Sequence, residues 1–210
     1  MGKRLNNAQK EIDANKVYGI EEAVALAKKT ATTKFVGNVE VHVRLGIDPK
    51  QTSQTVRATV TLPHGTGRSK KIAVFKGPEG EELIKKIKET EKVDFDMAIA
   101  EPAMMPKLAQ IAKILGPKGL MPNPKSGTVT TDIEKTVQEF SSGKTEFKND
   151  DSGNVHITIG KTNFDDNQLI ENLKAFMVAL RSAKPSEVKK EFIQSISLHA
   201  TMCPAFKIKI

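Results

Sequence analysis

Apolar residues recur along this chain with two different periods, and each change of period marks an element. Ile20, Val24 and Ala27 fall on one helical face, with Glu21 and Glu22 in the first turn and Lys28 and Lys29 in the last, so residues 20–29 read as a helix whose charges complement its dipole. In 38–47 the period drops to two. Val39, Val41, Val43 and Leu45 alternate with Glu40, His42 and Arg44, the pattern of a strand with one buried and one wet face. Residues 55–62 repeat the pattern. The turn chemistry of Asp48-Pro49-Lys50-Gln51 between the two predicts antiparallel neighbours. Residues 72–75 and 95–100 are short, continuously apolar strands, each followed by a helical pattern carrying Leu83, Ile84 and Ile87 or Leu108, Ile111, Ala112 and Leu115. A third helix holds Ile133, Val137 and Phe140. Two further strands, 145–149 and 154–159, flank Asp150-Asp151-Ser152-Gly153, which predicts a hairpin. Residues 165–183 form the longest amphipathic helix, and 191–199 alternate again, completing a sheet with the N-terminal strands.

This order predicts an α/β protein of two domains. Residues 1–66 and 145–210 would form a discontinuous α+β sandwich domain, into which 67–144 insert a three-layer, Rossmann-like α/β domain. Gly65, Gly67 and Gly143 at the two crossings supply the backbone freedom of a hinge.

Composition narrows the function. With 210 residues, 38% hydrophobic and 28% charged, the chain supports a core and is not disordered, and no apolar run approaches the roughly 20 residues of a membrane span. The net charge of +8 and pI near 9.4 favour a polyanionic partner. Residues 67–144 hold 14 basic and 11 acidic side chains against 19 and 14 elsewhere, so charge alone assigns that partner to neither domain. Cys203 is a lone thiol, and the four histidines show no zinc-ligand spacing, so neither a disulfide nor a structural metal is expected.

Two Gly-Lys-Thr triplets, at 143–145 and 160–162, suggest a nucleotide hydrolase, but a phosphate loop needs another Gly five residues earlier, where Gln138 and Val155 stand. No GxSxG, HExxH or CxxC run is present, so no enzyme is predicted; a duplex-DNA-binding regulator is the other alternative. Residues 114–130, ILGPKGLMPNPKSGTVT, place Gly116, Lys118, Gly119 and Lys125 in a Gly- and Pro-rich loop whose backbone could approach another chain closely. Lys34-Phe35 before the strand at 38, and Thr201-Met202-Cys203-Pro204 after the last strand, offer a stacking ring, a hydroxyl and a thioether to a partner.

LGPKGLMPNPKSGTVT, together with KFVGNVEVHVRLGIDPK, TVRATVTLPHGTG, GKTNF and ATMCP in this order, resembles the bacterial form of the ribosomal protein L-one family of the large subunit. The resemblance covers nearly the whole chain. It implies a non-catalytic, cofactor-free protein, a monomer when free, that binds large-subunit ribosomal RNA in the mobile stalk beside the tRNA exit site, assists release of deacylated exit-site tRNA and represses translation of its own mRNA. The implied location is the ribosome of the cytoplasm, or an organellar one, with no membrane partner. Position by position, the resemblance places Phe35 beside Met202, gives Glu40 and Thr201 hydrogen bonds to RNA, sets Ser195 and Lys148 nearby, and leaves Lys34, Arg44 and Lys148 for phosphates. Against phosphate Glu40 would repel, so it must accept from a base donor or a 2′-OH. Where the family carries Gly after Thr-Met this chain has Cys203, and a positive φ there would cost about 1 kcal/mol.

Overall fold

The computed structural model describes residues 5, 8–9, 12–13, 16–188 and 191–209. The strands in chain order are β1 Val17–Tyr18, β2 Asn38–Leu45, β3 Arg57–Thr61, β4 Ile72–Phe75, β5 Met97–Ala100, β6 Lys144–Lys148, β7 Asn154–Lys161, β8 Ile193–Ala200 and β9 Phe206–Ile208. The helices are α1 Ile20–Thr30, α2 Gly77–Thr90, α3 Met105–Leu108, α4 Ala112–Leu115, α5 Ile133–Ser141 and α6 Asp166–Ser182. The chain divides into two compact units, Met1–Gly67 with Thr145–Ile210, and Arg68–Lys144.

In the discontinuous unit a five-stranded sheet runs in the order β1-β9-β8-β2-β7. β2 lies antiparallel to both β7 and β8, with Val41 opposite Ile157 on one side and Leu198 on the other. Its alternation does what the sequence implies: Val39, Val41, Val43 and Leu45 are buried, in one core with Ala23, Val24 and Ala27 of α1 and Leu169, Leu173, Phe176 and Leu180 of α6. One face of this sheet is therefore covered, and the face of Glu40, His42 and Arg44 is not. A capping box starts α6, with Gln168 Oε1 accepting from the Asp165 backbone N–H at 3.2 Å.

The inserted unit pairs β4 and β5 in parallel, Ile72 opposite Met97 through Phe75 opposite Ala100, and a bridge from Ala100 to Val129 adds a third parallel line. Phe75, Ile84, Ile87, Leu108, Ile111 and Leu115 form one core cluster, while Ile99, Ile133 and Phe140 form another. Helices thus cover both faces of a short parallel sheet, as a three-layer arrangement requires.

Several sequence expectations need correction. β2 and β3 are not neighbours, because both edges of β2 are taken by β7 and β8, while the connection after β2 passes through a 3-10 turn at Thr52–Gln54 and β3 pairs with β6. The turn at Asp150 forms, with the Asp150 N–H donating to the Asn154 carbonyl at 2.7 Å. Its strands part after the single bridge Asn149 to Val155, one joining β3 and the other β2. The helix expected over 108–115 is broken: a 3-10 turn at Ala109–Ile111 separates α3 from α4. Leu108, Ile111 and Leu115 remain buried, so packing is preserved while the winding tightens. β1 and β9, two and three residues long, are below what periodicity resolves.

Candidate nucleic-acid interface

The two chain-end segments meet at one end of β2. There the Thr201 N–H donates to the Asn38 carbonyl at 2.9 Å. The Thr201 hydroxyl accepts from the Asn38 N–H at 3.0 Å and donates to its carbonyl at 3.2 Å. Across β2 the Thr162 N–H donates to the Gly37 carbonyl at 3.0 Å, and a Cβ on Gly37 would stand 3.3 Å from that of Thr201. These bonds use the hydroxyl's proton and one lone pair, leaving Thr201 able only to accept from a partner. Beside the junction Phe35 and Met202 are large apolar side chains left 53% and 67% exposed, and Lys34, next to Phe35 in sequence, is exposed too. An exposed ring and thioether at the mouth of a hydrogen-bonded junction are what an unstacked base could cover.

The turn after β8 places the strain at a different residue from the one expected. The Cys203 N–H donates to the Ala200 carbonyl at 2.9 Å, closing a four-residue turn whose third residue, Met202, has φ of 62°. That is where a type II turn requires a positive φ and favours Gly. Cys203 has no positive φ and carries no such strain. Its thiol donates to the Thr30 carbonyl at 3.1 Å, tying the turn to the end of α1.

Beyond the junction, the remaining candidates spread along the uncovered sheet face. Glu40 lies opposite Thr158 on β7 and His199 on β8; Arg44 lies opposite Asn154 and Ser195. Arg44 and Ser195, both exposed, sit at the other end of β2 from Asn38, about 20 Å away at 3.3 Å per residue. Lys148 is exposed but belongs to the β3–β6 pair, so it shares no sheet with Ser195. In the inserted unit Gly116 follows α4 in a helical conformation, Lys118 is exposed, and Gly119 takes the positive φ, 69°, with open space around its α-carbon. The side chain of Lys125 lies outside the described residues. This loop is braced from within: the Asn123 carbonyl accepts from the Ser126 and Thr128 hydroxyls at 3.0 and 3.1 Å, and the Thr128 carbonyl from the Ala100 N–H at 2.9 Å. Gly160, the glycine of the second Gly-Lys-Thr triplet, is a packing residue. A Cβ there would stand 2.7 Å from Leu169 Cδ2, which leaves no cradle for a phosphate.

Two features escaped the sequence. In the pairing of β2 with β7, Val39 faces Gly160 while Glu40 faces Thr158, so Ile159 is an extra, bulged residue beside Glu40. Its carbonyl is taken at 2.7 Å by the Nδ2 of Asn172, a fully buried side chain that also donates to Gly65 O at 3.0 Å and accepts from the His64 N–H at 3.1 Å. Only a polar residue on the apolar face of α6 hinted at this. The second feature is a row of histidines across the sheet. His42 lies opposite His156 on β7, and His199 on β8 reaches its other side; the ring centroids stand 4.8 and 4.6 Å from that of His42. Burial, and then the neighbouring His199 and His156, lowers the pKa of His42. Next to His156, Asp150 is held at about 2: partial burial alone would raise it, but hydrogen bonds from Asn154, Ser152 and His156 together outweigh that.

A family model described as "Ribosomal protein L1p/L10e family" matches residues 27–79 and 78–204. The chain is 44% identical to "Large ribosomal subunit protein uL1" of Mycoplasma capricolum subsp. capricolum over 222 residues, spanning 100% of this chain and 98% of that protein. The proteins of the same name from Thermosipho africanus and Mesoplasma florum are 43% and 42% identical, over 98% and 100% of this chain and 95% and 98% of theirs.

Proposed function

The chain belongs to the ribosomal protein L1p/L10e family, and from that premise we propose that it grips large-subunit ribosomal RNA through the junction of Asn38 with Thr201 and the uncovered sheet face beside it. It is a structural, non-enzymatic constituent of the large ribosomal subunit and acts in translation. On this reading it forms the mobile stalk next to the exit site, helps release deacylated tRNA there, and represses its own mRNA by presenting the same surface to it. The discontinuous unit is the RNA-binding domain, and the inserted domain contributes its braced loop with Gly116, Lys118, Gly119 and Lys125.

The observation that carries the proposal is the exposure of Phe35 and Met202 around a junction whose own polar groups are satisfied. Phe35 and Met202 stack on or cover a base, while Thr201 and Glu40 accept from base amino groups or from a 2′-OH, the second of which only RNA supplies. Lys34, Arg44 and Lys148 meet phosphates and give a salt-dependent affinity, and Ser195 supplies a neutral contact beside Arg44. Cys203 holds the turn that presents Met202.

Filter binding to a large-subunit RNA fragment tests this. Thr201→Ala is expected to weaken binding by about 1 to 3 kcal/mol with the fold retained, since the bonds to Asn38 lie at an accessible strand end. An unchanged RNA affinity, or a preference for duplex DNA in direct competition, would refute it.

A further inference from the structure

Glu40, His42 and His199 come together on the uncovered sheet face with ligating atoms all within 4.8 Å of one another. His42 Nε2 faces His199 Nε2 at 3.2 Å. Two nitrogens bound tetrahedrally to one zinc ion, each at 2.0–2.1 Å, stand about 3.3 Å apart, so this pair already has the separation of two ligands. All three residues are on β2 and β8, adjacent strands of the sheet's middle, so no loop has to order for them to meet.

His156 Nε2 lies 3.4 Å from an Asp150 carboxylate oxygen and its Nδ1 lies 2.6 Å from His42 Nδ1, so a line of polar contacts runs from the carboxylate through His156 to His42. With Nδ1 engaged by His156, the Nε2 edge of His42 is the one turned toward His199 and Glu40. A carboxylate behind an imidazole is the arrangement that orients and strengthens metal-ligating histidines, lengthened here by one ring. His199 Nδ1 is a buried ring nitrogen without a partner among the described residues. The two Nε2 edges thus face one another across one shared hydrogen, which a metal ion taking both lone pairs would displace to solvent.

We infer that Glu40, His42 and His199 form a binding site for a borderline divalent transition-metal ion of the zinc class, with His156 and Asp150 as its support. Two imidazoles and one carboxylate with an open fourth position suit zinc or cobalt, whereas magnesium and calcium prefer oxygen ligands alone. The inference uses only the geometry of this chain and holds whether or not the same face binds RNA.

The test is made on the full-length protein freed of metal by a chelator and titrated with Zn²⁺ by calorimetry and with Co²⁺ by visible absorption. One ion per chain is expected at micromolar or tighter affinity in the presence of excess Mg²⁺, with zinc-dependent shifts of the His42 and His199 ring resonances. His42→Gln and His199→Gln should abolish it, and His156→Ala should weaken it by about tenfold or more. His64→Gln, whose ring pairs with Glu171 elsewhere, should leave it unchanged. Absence of saturable Zn²⁺ binding below millimolar, or ring shifts confined to His64, would overturn the inference. If the histidine variants fail to fold by circular dichroism, the ring resonances of the unmodified protein and the loss expected in Glu40→Gln still decide it.

Discussion

Asn172 bears more of the discontinuous unit's stability than its size suggests. Its side chain is fully buried and makes three hydrogen bonds to backbone groups, of His64, Gly65 and Ile159. Asn172→Ala removes all three partners at once. The Ile159 carbonyl belongs to a residue with no exposure, so water cannot replace the lost amide, and an orphaned buried acceptor costs about 1 to 3 kcal/mol. His64 and Gly65 are partly open to solvent, so their groups cost about 0.5 to 1.5 kcal/mol each. The expected loss is therefore about 2 to 6 kcal/mol, a large share of the 5 to 15 kcal/mol that holds an ordinary domain together. Urea unfolding followed by far-UV circular dichroism measures it. Hydrogen exchange at residues 158–160 should accelerate in the same variant, because the bulge loses its clamp. Asn172→Asp sharpens the test: a carboxylate can accept from the His64 N–H but cannot donate to either carbonyl, and it buries a charge. It should be at least as damaging as Ala at neutral pH and improve on acidification, since burial raises its folded-state pKa and the stability so gained is present below that value. A loss below about 1 kcal/mol in Asn172→Ala would refute the assignment.

Met202→Gly relieves a left-handed side chain in the turn after β8. It is expected to leave stability unchanged or raise it by up to about 1 kcal/mol while weakening RNA binding, and a fall in stability of more than about 1 kcal/mol would argue against strain at that position. Asp150 has a folded-state pKa of about 2, below its ordinary 3.8, so its contribution is complete above about pH 4 and fades as pH falls toward 2. Acid titrations of the unmodified protein and of Asp150→Asn should accordingly converge near pH 2, and curves that stay parallel from pH 5 to 2 would count against the turn's hydrogen bonds.

How far the sequence spoke depends on the range over which each signal is written. The alternation of 38–45 and the stripe on 166–182 are local, and both elements form with the faces they foretold. Which strands lie beside β2 is not local. The turn residues at 48–51 suggested β3, but burial of Val41 between Ile157 and Leu198 decided the matter, and no window of a dozen residues contains those three. The histidines illustrate the same gap, because 42, 156 and 199 have no meaningful spacing until the register of β7 and β8 is known. Family resemblance singled out Thr201 and Glu40 but not their surroundings: the hydroxyl already bonded to Asn38, and the bulge at Ile159 beside the carboxylate.

The position of β2 also bears on how the protein is made. Both its neighbours are translated more than a hundred residues after it, Ile157 and Leu198 following Val41, whereas β4 and β5 are joined by a single helical crossover. On a nascent chain the inserted unit is made before either neighbour of β2, while β2 must wait with the backbone groups of both edges unpaired until β7 and then β8 follow. A product ended before β8 could still pair β2 with β7 but would leave the other edge of β2 open and Val41 without Leu198, so of the two neighbours the last to arrive is the one that closes this core.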